Sequence, residues 1–107
     1  MNEATEQRVR NLLGMAQKAR RIVSGNFAVE QAVKQGNAKL MLLAEDTEKN
    51  SKEAYEGLAE QYQVPCRSIL TKASLGACMG KEYRAAAVLL DDGFSKSLRR
   101  LLGEQID

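Results

Sequence analysis

The side chains able to do chemistry in this 107-residue chain are few, and their types point away from catalysis. There is no histidine, and the two cysteines, Cys66 and Cys78, lack the C-x-x-C spacing of a redox or metal pair. Each sits among apolar or small neighbours and reads as a small buried hydrophobe. Glu45-Asp46 follows an apolar run, but adjacent residues point to different sides, so a turn leading into a helix cap is the better reading. Gly76-Ala77-Cys78-Met79-Gly80 fits neither a Walker loop nor G-x-G-x-x-G. Asp91-Asp92 lacks the further oxygen ligands of a calcium loop. We therefore expect no catalytic residue, no metal and no cofactor.

Groups suited to a polyanion are better represented. Arg20 to Gly36 reads as a short strand (Ile22, Val23), a turn (Ser24-Gly25-Asn26) and a helix with Val29, Ala32 and Val33 at i, i+3, i+4. Gly36 stands where a left-handed helix stop belongs. The start of that helix offers unpaired N–H groups and the positive end of a dipole. Lys18, Arg20, Arg21 and Lys34 beside it make a phosphate backbone the expected anion. A second stretch, Gly80-Lys81-Glu82-Tyr83-Arg84, supplies two cations and a ring able to stack on an unpaired base. If the two loops share a sheet edge, they make an RNA surface.

The formal charge of +2 conceals a division along the chain. Residues 1–40 carry seven basic and three acidic side chains (7 − 3 = +4), residues 41–63 two and six (2 − 6 = −4), and residues 64–107 seven and five (7 − 5 = +2). A basic front of Arg20, Arg21, Lys34, Lys81 and Arg84 and an acidic back would orient the molecule toward RNA. No apolar run approaches a membrane span and the N-terminus has no apolar signal region, so a cytoplasmic location is expected.

These groups must be positioned by alternating helices and short strands. Residues 3–19 carry a helical stripe of Val9, Leu12, Leu13, Ala16 and Ala19. Ala38 to Ala44 is a strand covered on both faces. A helix over about Ser51 to Gln63 turns Ala54, Leu58 and Tyr62 inward, with Tyr55 and Ala59 beside them, and shows its acids to solvent. Pro65 ends it, Cys66 to Leu70 forms a third strand, and Thr71 caps a short helix stopped by Gly80. Ala85 to Leu90 is a fourth buried strand, and the last helix turns Phe94, Leu98, Leu101 and Leu102 inward. The chain is expected to be one α/β domain over residues 1–107, with Leu40, Leu42, Val88, Leu98 and Leu101 in its core.

The order Arg21-Ile22-Val23-Ser24-Gly25, a helix closing at Gly36, a strand ending in Ala44-Glu45-Asp46, and Leu75 to Val88 resembles the kink-turn-binding ribosomal protein family, the L-seven-Ae superfamily. Within it the chain is most similar to the small bacterial YlxQ-type proteins, over roughly residues 7 to 100. The resemblance implies a three-layer α/β/α sandwich with a four-stranded mixed sheet. It also implies a noncatalytic protein that grips RNA with the start of its second helix and the loop before its last strand. By position, Gly25 and Gly36 match the family's glycines and Gly80 to Ala86 its RNA-facing loop. Three positions depart: Phe27-Ala28 stand where kink-turn binders carry Asn-Glu, and Gln31 where they carry Lys.

The expected RNA-binding residues are Arg20, Arg21, Ser24, Gly25, Asn26, Phe27, Gln31, Lys34, Gly80, Lys81, Glu82, Tyr83 and Arg84. Their partner would be structured RNA, ribosomal in the first instance, with kink-turn preference weakened by the three departures. Ribosome-associated proteins would be secondary partners, and the chain is expected to be monomeric. The competing reading is a protein-interaction module in which an exposed Phe27 docks into a partner.

Overall fold

The computed structural model describes residues 1–106. In chain order it contains α1 (Glu3–Lys18), β1 (Ile22–Ser24), α2 (Asn26–Lys34), β2 (Leu40–Leu43), α3 (Lys49–Gln61), β3 (Cys66–Ser68), α4 (Lys72–Cys78), β4 (Ala86–Leu89) and α5 (Asp92–Leu101). The strands form one sheet in the order β1-β4-β2-β3. β4 runs antiparallel to both β1 and β2, whereas β2 and β3 are parallel.

The two central strands are the continuous apolar runs, and all four residues of each are buried. A strand alternates its side chains between faces, so the sheet feeds two cores. Leu40, Leu42, Ala87 and Leu89 pack with Val9, Leu13 and Ala16 of α1, Leu75 of α4 and Leu98 of α5. Met41, Leu43, Ala86 and Val88 pack with Val29, Ala32 and Val33 of α2 and Ala59 of α3. Small side chains at Ala86 and Ala87 let the helices approach the sheet closely. The result is the expected three-layer α/β/α sandwich, with α1, α4 and α5 on one face and α2 and α3 on the other.

Local signals end the elements where sequence rules place them. Asn2, Thr71 and Asp91 accept hydrogen bonds from the amides of Thr5, Ser74 and Phe94 at 2.8, 3.1 and 3.1 Å, capping α1, α4 and α5. Gly36 follows α2 at φ 77°, as its stop position requires.

Some expectations are corrected. β3 stops at Ser68, because Leu70 takes a left-handed φ of 58° that no strand can continue through. α3 turns Tyr55, Leu58 and Ala59 toward the core, and Ala54 and Tyr62 are exposed, since only one narrow line of a helix seated on one neighbouring helix and the sheet is covered. Ala19 is exposed at the C-cap of α1. Leu101 is half-buried because α5 rests at the rim of its layer, where only Leu98 of its apolar stripe is fully covered. Asp46 caps no helix of its own segment: its Oδ1 accepts from the Lys72 amide at 2.7 Å, serving the start of α4 across the sheet.

Both cysteines are free and half-buried, and burial pushes both thiols above the ordinary cysteine range, as packing groups rather than reactive ones.

Candidate nucleic-acid interface

Because β1 and β2 run antiparallel to β4, the ends of β1 and β2 meet the beginning of β4 at one edge of the sheet. The β1–α2 turn and the α4–β4 loop are thereby brought together. Gly25 N–H donates to the Ala86 carbonyl at 3.4 Å, and Arg84 Nε–H donates to Ser24 Oγ at 2.9 Å. The same guanidinium donates to the Tyr83 carbonyl at 3.0 Å, and the Arg84 amide donates to the Lys72 carbonyl, also at 3.0 Å. Arg84 thus links both loops to the start of α4. Among the described residues it has no ion-pair partner, so its charge is available to an external anion.

Two glycines set this geometry. Gly25 precedes α2 at φ 94°, ψ 154°, a conformation essentially restricted to glycine, and brings no side chain to cap the helix. The amides of the first turn therefore face outward. Gly76, inside α4, is required by contact: a Cβ there would lie 2.9 Å from the backbone carbonyl carbon and oxygen of Glu82 and from Tyr83 Cα. The returning loop is laid directly against the helix, and Lys81 N–H donates to the Gly76 carbonyl at 2.8 Å. Gly80 closes α4 at φ 68°.

Two rings stand on this surface with little cover. Phe27 in the first turn of α2 is 75% exposed and Tyr83 is 60% exposed. Gln31, one helical turn beyond Phe27, is exposed too, as are Lys81 and Glu82.

The remaining expected residues are placed elsewhere or engaged. Asn26 Oδ1 accepts a hydrogen bond from the Tyr55 hydroxyl of α3, leaving mainly its amide NH2 for a ligand. Burial, with the nearby Glu30 charge, pushes the Tyr55 phenol above its ordinary pKa. Lys34 donates to Glu30 at 2.6 Å and lines the cleft between α2 and α3 with Ser51, Tyr55 and Gln61, so it faces the acidic helix rather than a basic front. That carboxylate raises the Lys34 pKa above the ordinary lysine value.

Arg20 and Arg21 lie at the opposite edge of the sheet. The Arg21 carbonyl accepts from Leu90 N–H at 2.8 Å where β4 leaves the sheet, four residues of near-extended chain from Gly25, or about 13 Å. The acidic segment is also not wholly at the back. Ala44 N–H donates to the Ala85 carbonyl at 2.8 Å, which sets Glu45 and Asp46 beside the loop edge.

Sequence reasoning gave Tyr55, Lys72, Asp46 and Gly76 no part in this surface, having placed Tyr55 on the inward side of its helix and Asp46 at a local cap. Only Gly76 carried a signal, a glycine inside a helical pattern, which commonly marks a close approach. Among the described residues no group of three or more Cys, Asp or Glu side chains could hold a metal ion, and no helix is long and apolar enough to cross a membrane.

The arrangement agrees with what the chain is similar to. The RNA-binding protein YlxQ of Bacillus subtilis (strain 168) is 37% identical over 91 residues, covering 85% of this chain and 91% of that protein. The RNA-binding protein YlxQ of Enterococcus faecium is 28% identical over 102 residues, covering 95% and 98%. A solved structure of a protein of unknown function from Bacillus halodurans superposes with a TM-score of 0.83 at 31% identity, covering 90% of this chain and 97% of that one. A 15.5 kD RNA-binding protein of Giardia lamblia shares the fold with a TM-score of 0.74 at 21% identity, covering 96% and 88%. The profile of the ribosomal protein L7Ae/L30e/S12e/Gadd45 family matches residues 7–99, and the chain belongs to that family.

Proposed function

We propose that this protein is a noncatalytic RNA-binding protein of ribosomal type, a single domain that grips structured RNA, ribosomal RNA in particular, at the loop edge of its sheet. The observation that carries the reading is the Arg84–Ser24 hydrogen bond, which joins the β1–α2 turn and the α4–β4 loop into one surface. On it the α2 amides and Lys81 and Arg84 would hold phosphate, while Phe27 and Tyr83 would stack on unpaired bases. The names of the YlxQ relatives support RNA as the ligand.

Kink-turn specificity is a separate matter. The family's Asn-Glu pair is replaced by Phe27-Ala28 and its Lys by Gln31, so two side chains that would read guanine edges are apolar. A bidentate base contact contributes about 1–3 kcal/mol of discrimination, a figure taken from DNA readout. Losing two should lower kink-turn preference by about two to four powers of ten if the contributions add. The test is a titration of wild type and of Phe27→Asn/Ala28→Glu/Gln31→Lys against a kink-turn RNA and a mutant lacking its G·A pairs, at one salt concentration. Wild type should bind both at low salt with little preference, and the triple variant should recover part of it. Nanomolar, kink-turn-selective binding by wild type would overturn the weakened preference and show that another surface, such as Asn26 with Lys81 and Tyr83, has replaced the family's contacts.

The exposure of Phe27 also favours a second reading, in which this ring enters a pocket of a partner protein. Salt separates the two. Binding through phosphates weakens steeply as salt rises, whereas docking of one apolar ring does not.

A further inference from the structure

We infer that the far edge of the sheet is a second phosphate-binding surface, formed by Lys18, Arg20, Arg21 and Lys39, which holds a stretch of RNA backbone distinct from the one at the loop edge. The inference rests on the RNA reading above but concerns a site at the other end of the strands.

Three separate segments converge there. Lys18 ends α1, Arg20 and Arg21 form the turn into β1, and Lys39 precedes β2. The β1–β4 register continues one step beyond Ile22–Leu89, because Leu90 N–H donates to the Arg21 carbonyl at 2.8 Å, while on the other side of β4 Lys39, at the bend before β2, donates its N–H to the Leu89 carbonyl at 2.8 Å. Arg21 and Lys39 therefore flank the end of β4 from its two sides, about two strand spacings or about 10 Å apart. A nucleic-acid duplex carries one charge per about 1.7 Å of axis, the figure for B-DNA, so a span of this length faces several phosphates.

All four cations are exposed, and among the described residues none has an ion-pair partner. The acids nearest in sequence to this edge are Asp91 and Asp92, and Asp91 already accepts a hydrogen bond from Phe94 N–H at 3.1 Å. Lys34 and Arg67, by contrast, are both paired with carboxylates.

Arg20 is set at this edge by a tight turn. It occupies the left-handed position after α1 at φ 58°, where the chain reverses through hydrogen bonds from Arg20 N–H to the Gln17 carbonyl and from Arg21 N–H to the Ala16 carbonyl. Glycine takes the equivalent positions after α2, α4 and α5, as Gly36, Gly80 and Gly103, and Gln63 takes the one after α3 at φ 57°. A charged side chain is kept here at a conformational cost. Favourable interaction with the α1 C-terminal dipole accounts for Lys18 and Arg20 but not for Arg21 and Lys39, which precede strands.

The test uses the full chain and an RNA duplex with an internal loop, its arms long enough to pass the 32 Å dimension of the protein. Affinity is measured from roughly 50 to 200 mM salt, the range over which phosphate contacts separate well. Three proteins are compared: wild type, the far-edge variant Arg20→Ala/Arg21→Ala/Lys39→Ala, and the loop-edge variant Lys81→Ala/Arg84→Ala. The far-edge variant should flatten the slope of log K against log salt by about 0.9 per lost duplex contact, hence by about two to three units. It should match wild type on an RNA trimmed to the internal loop. The charge-preserving Arg20→Lys/Arg21→Lys should keep the wild-type slope, which separates charge from fold. An unchanged slope for the far-edge variant, with a reduced one for the loop-edge variant, would overturn this inference and leave the proposed function standing. A change confined to the far-edge variant would support this surface and overturn the loop-edge assignment.

Discussion

The two ends of this sheet differ in what they offer a ligand. At the loop edge, Lys72, Lys81 and Arg84 share the surface with Glu45, Asp46 and Glu82, so local charge is largely offset. What distinguishes that edge is shape: outward amides at α2, two uncovered rings and a loop pressed onto Gly76. At the far edge the turns are short and regular, and the feature is positive charge from Lys18, Arg20, Arg21 and Lys39 that has no ion-pair partner among the described residues. Shape and stacking can select among RNA structures, whereas point charges on phosphates hold any backbone. If both ends hold RNA as proposed, specificity and tenacity can be varied separately.

The largest expected effect tests whether the edges share one stability. Leu98 is fully buried in the core shared by α1, α4, α5 and the sheet, and Leu98→Ala should cost about 2–5 kcal/mol. Thermal denaturation should show a lowered Tm, while RNA affinity measured well below that Tm should be unchanged at either edge. Next, Gly76→Ala would force a Cβ into the Glu82–Tyr83 backbone, with an overpacking cost of about 1–3 kcal/mol. Its binding loss should track the loop-edge variant and leave the far-edge salt dependence intact. If Gly76→Ala instead abolished the far-edge contribution, the two surfaces would not be independent.

A smaller effect concerns the corner where β3 meets the end of α5. Glu104 accepts two hydrogen bonds from Arg67, at 2.8 and 2.9 Å, and one from Arg99 at 3.0 Å. The Arg67 hydrogen bonds, followed by that from Arg99, hold its carboxyl down to about 2. A depressed folded-state pKa means stability present above the ordinary carboxylate value and lost as pH falls toward 2. Glu104→Gln should cost about 1 kcal/mol at neutral pH, the upper end for a partly exposed pair. It should also flatten the fall in Tm between about pH 4.5 and 2 that wild type shows. The smallest effect has opposite signs in two assays. Arg20→Gly relieves left-handed strain at the cost of greater unfolded-state freedom, for a net gain of about 0.5 kcal/mol. It should raise Tm slightly and weaken RNA binding; a fall in both would mean that Arg20 is held by packing.

Much of this molecule is written locally. The runs Leu40–Leu43 and Ala86–Leu89 are too apolar to have a solvent face and become the central strands. Thr71 and Asp91 cap helices, and Gly36 and Gly80 end them, because these depend on residues only a turn away. The family resemblance was legible for the same reason, as an order of such local signals. What a linear reading could not supply was which ends of the strands lie together. Ser24 and Arg84 are joined across 60 positions, whereas Arg21, only three residues from Ser24, belongs to the other edge. Asp46 serves α4 rather than α3, and Asn26 answers to Tyr55. Strand order and direction fix these pairings. They follow from how two helical layers jointly cover one sheet, a balance of contacts far apart in sequence to which no single segment contributes enough to decide.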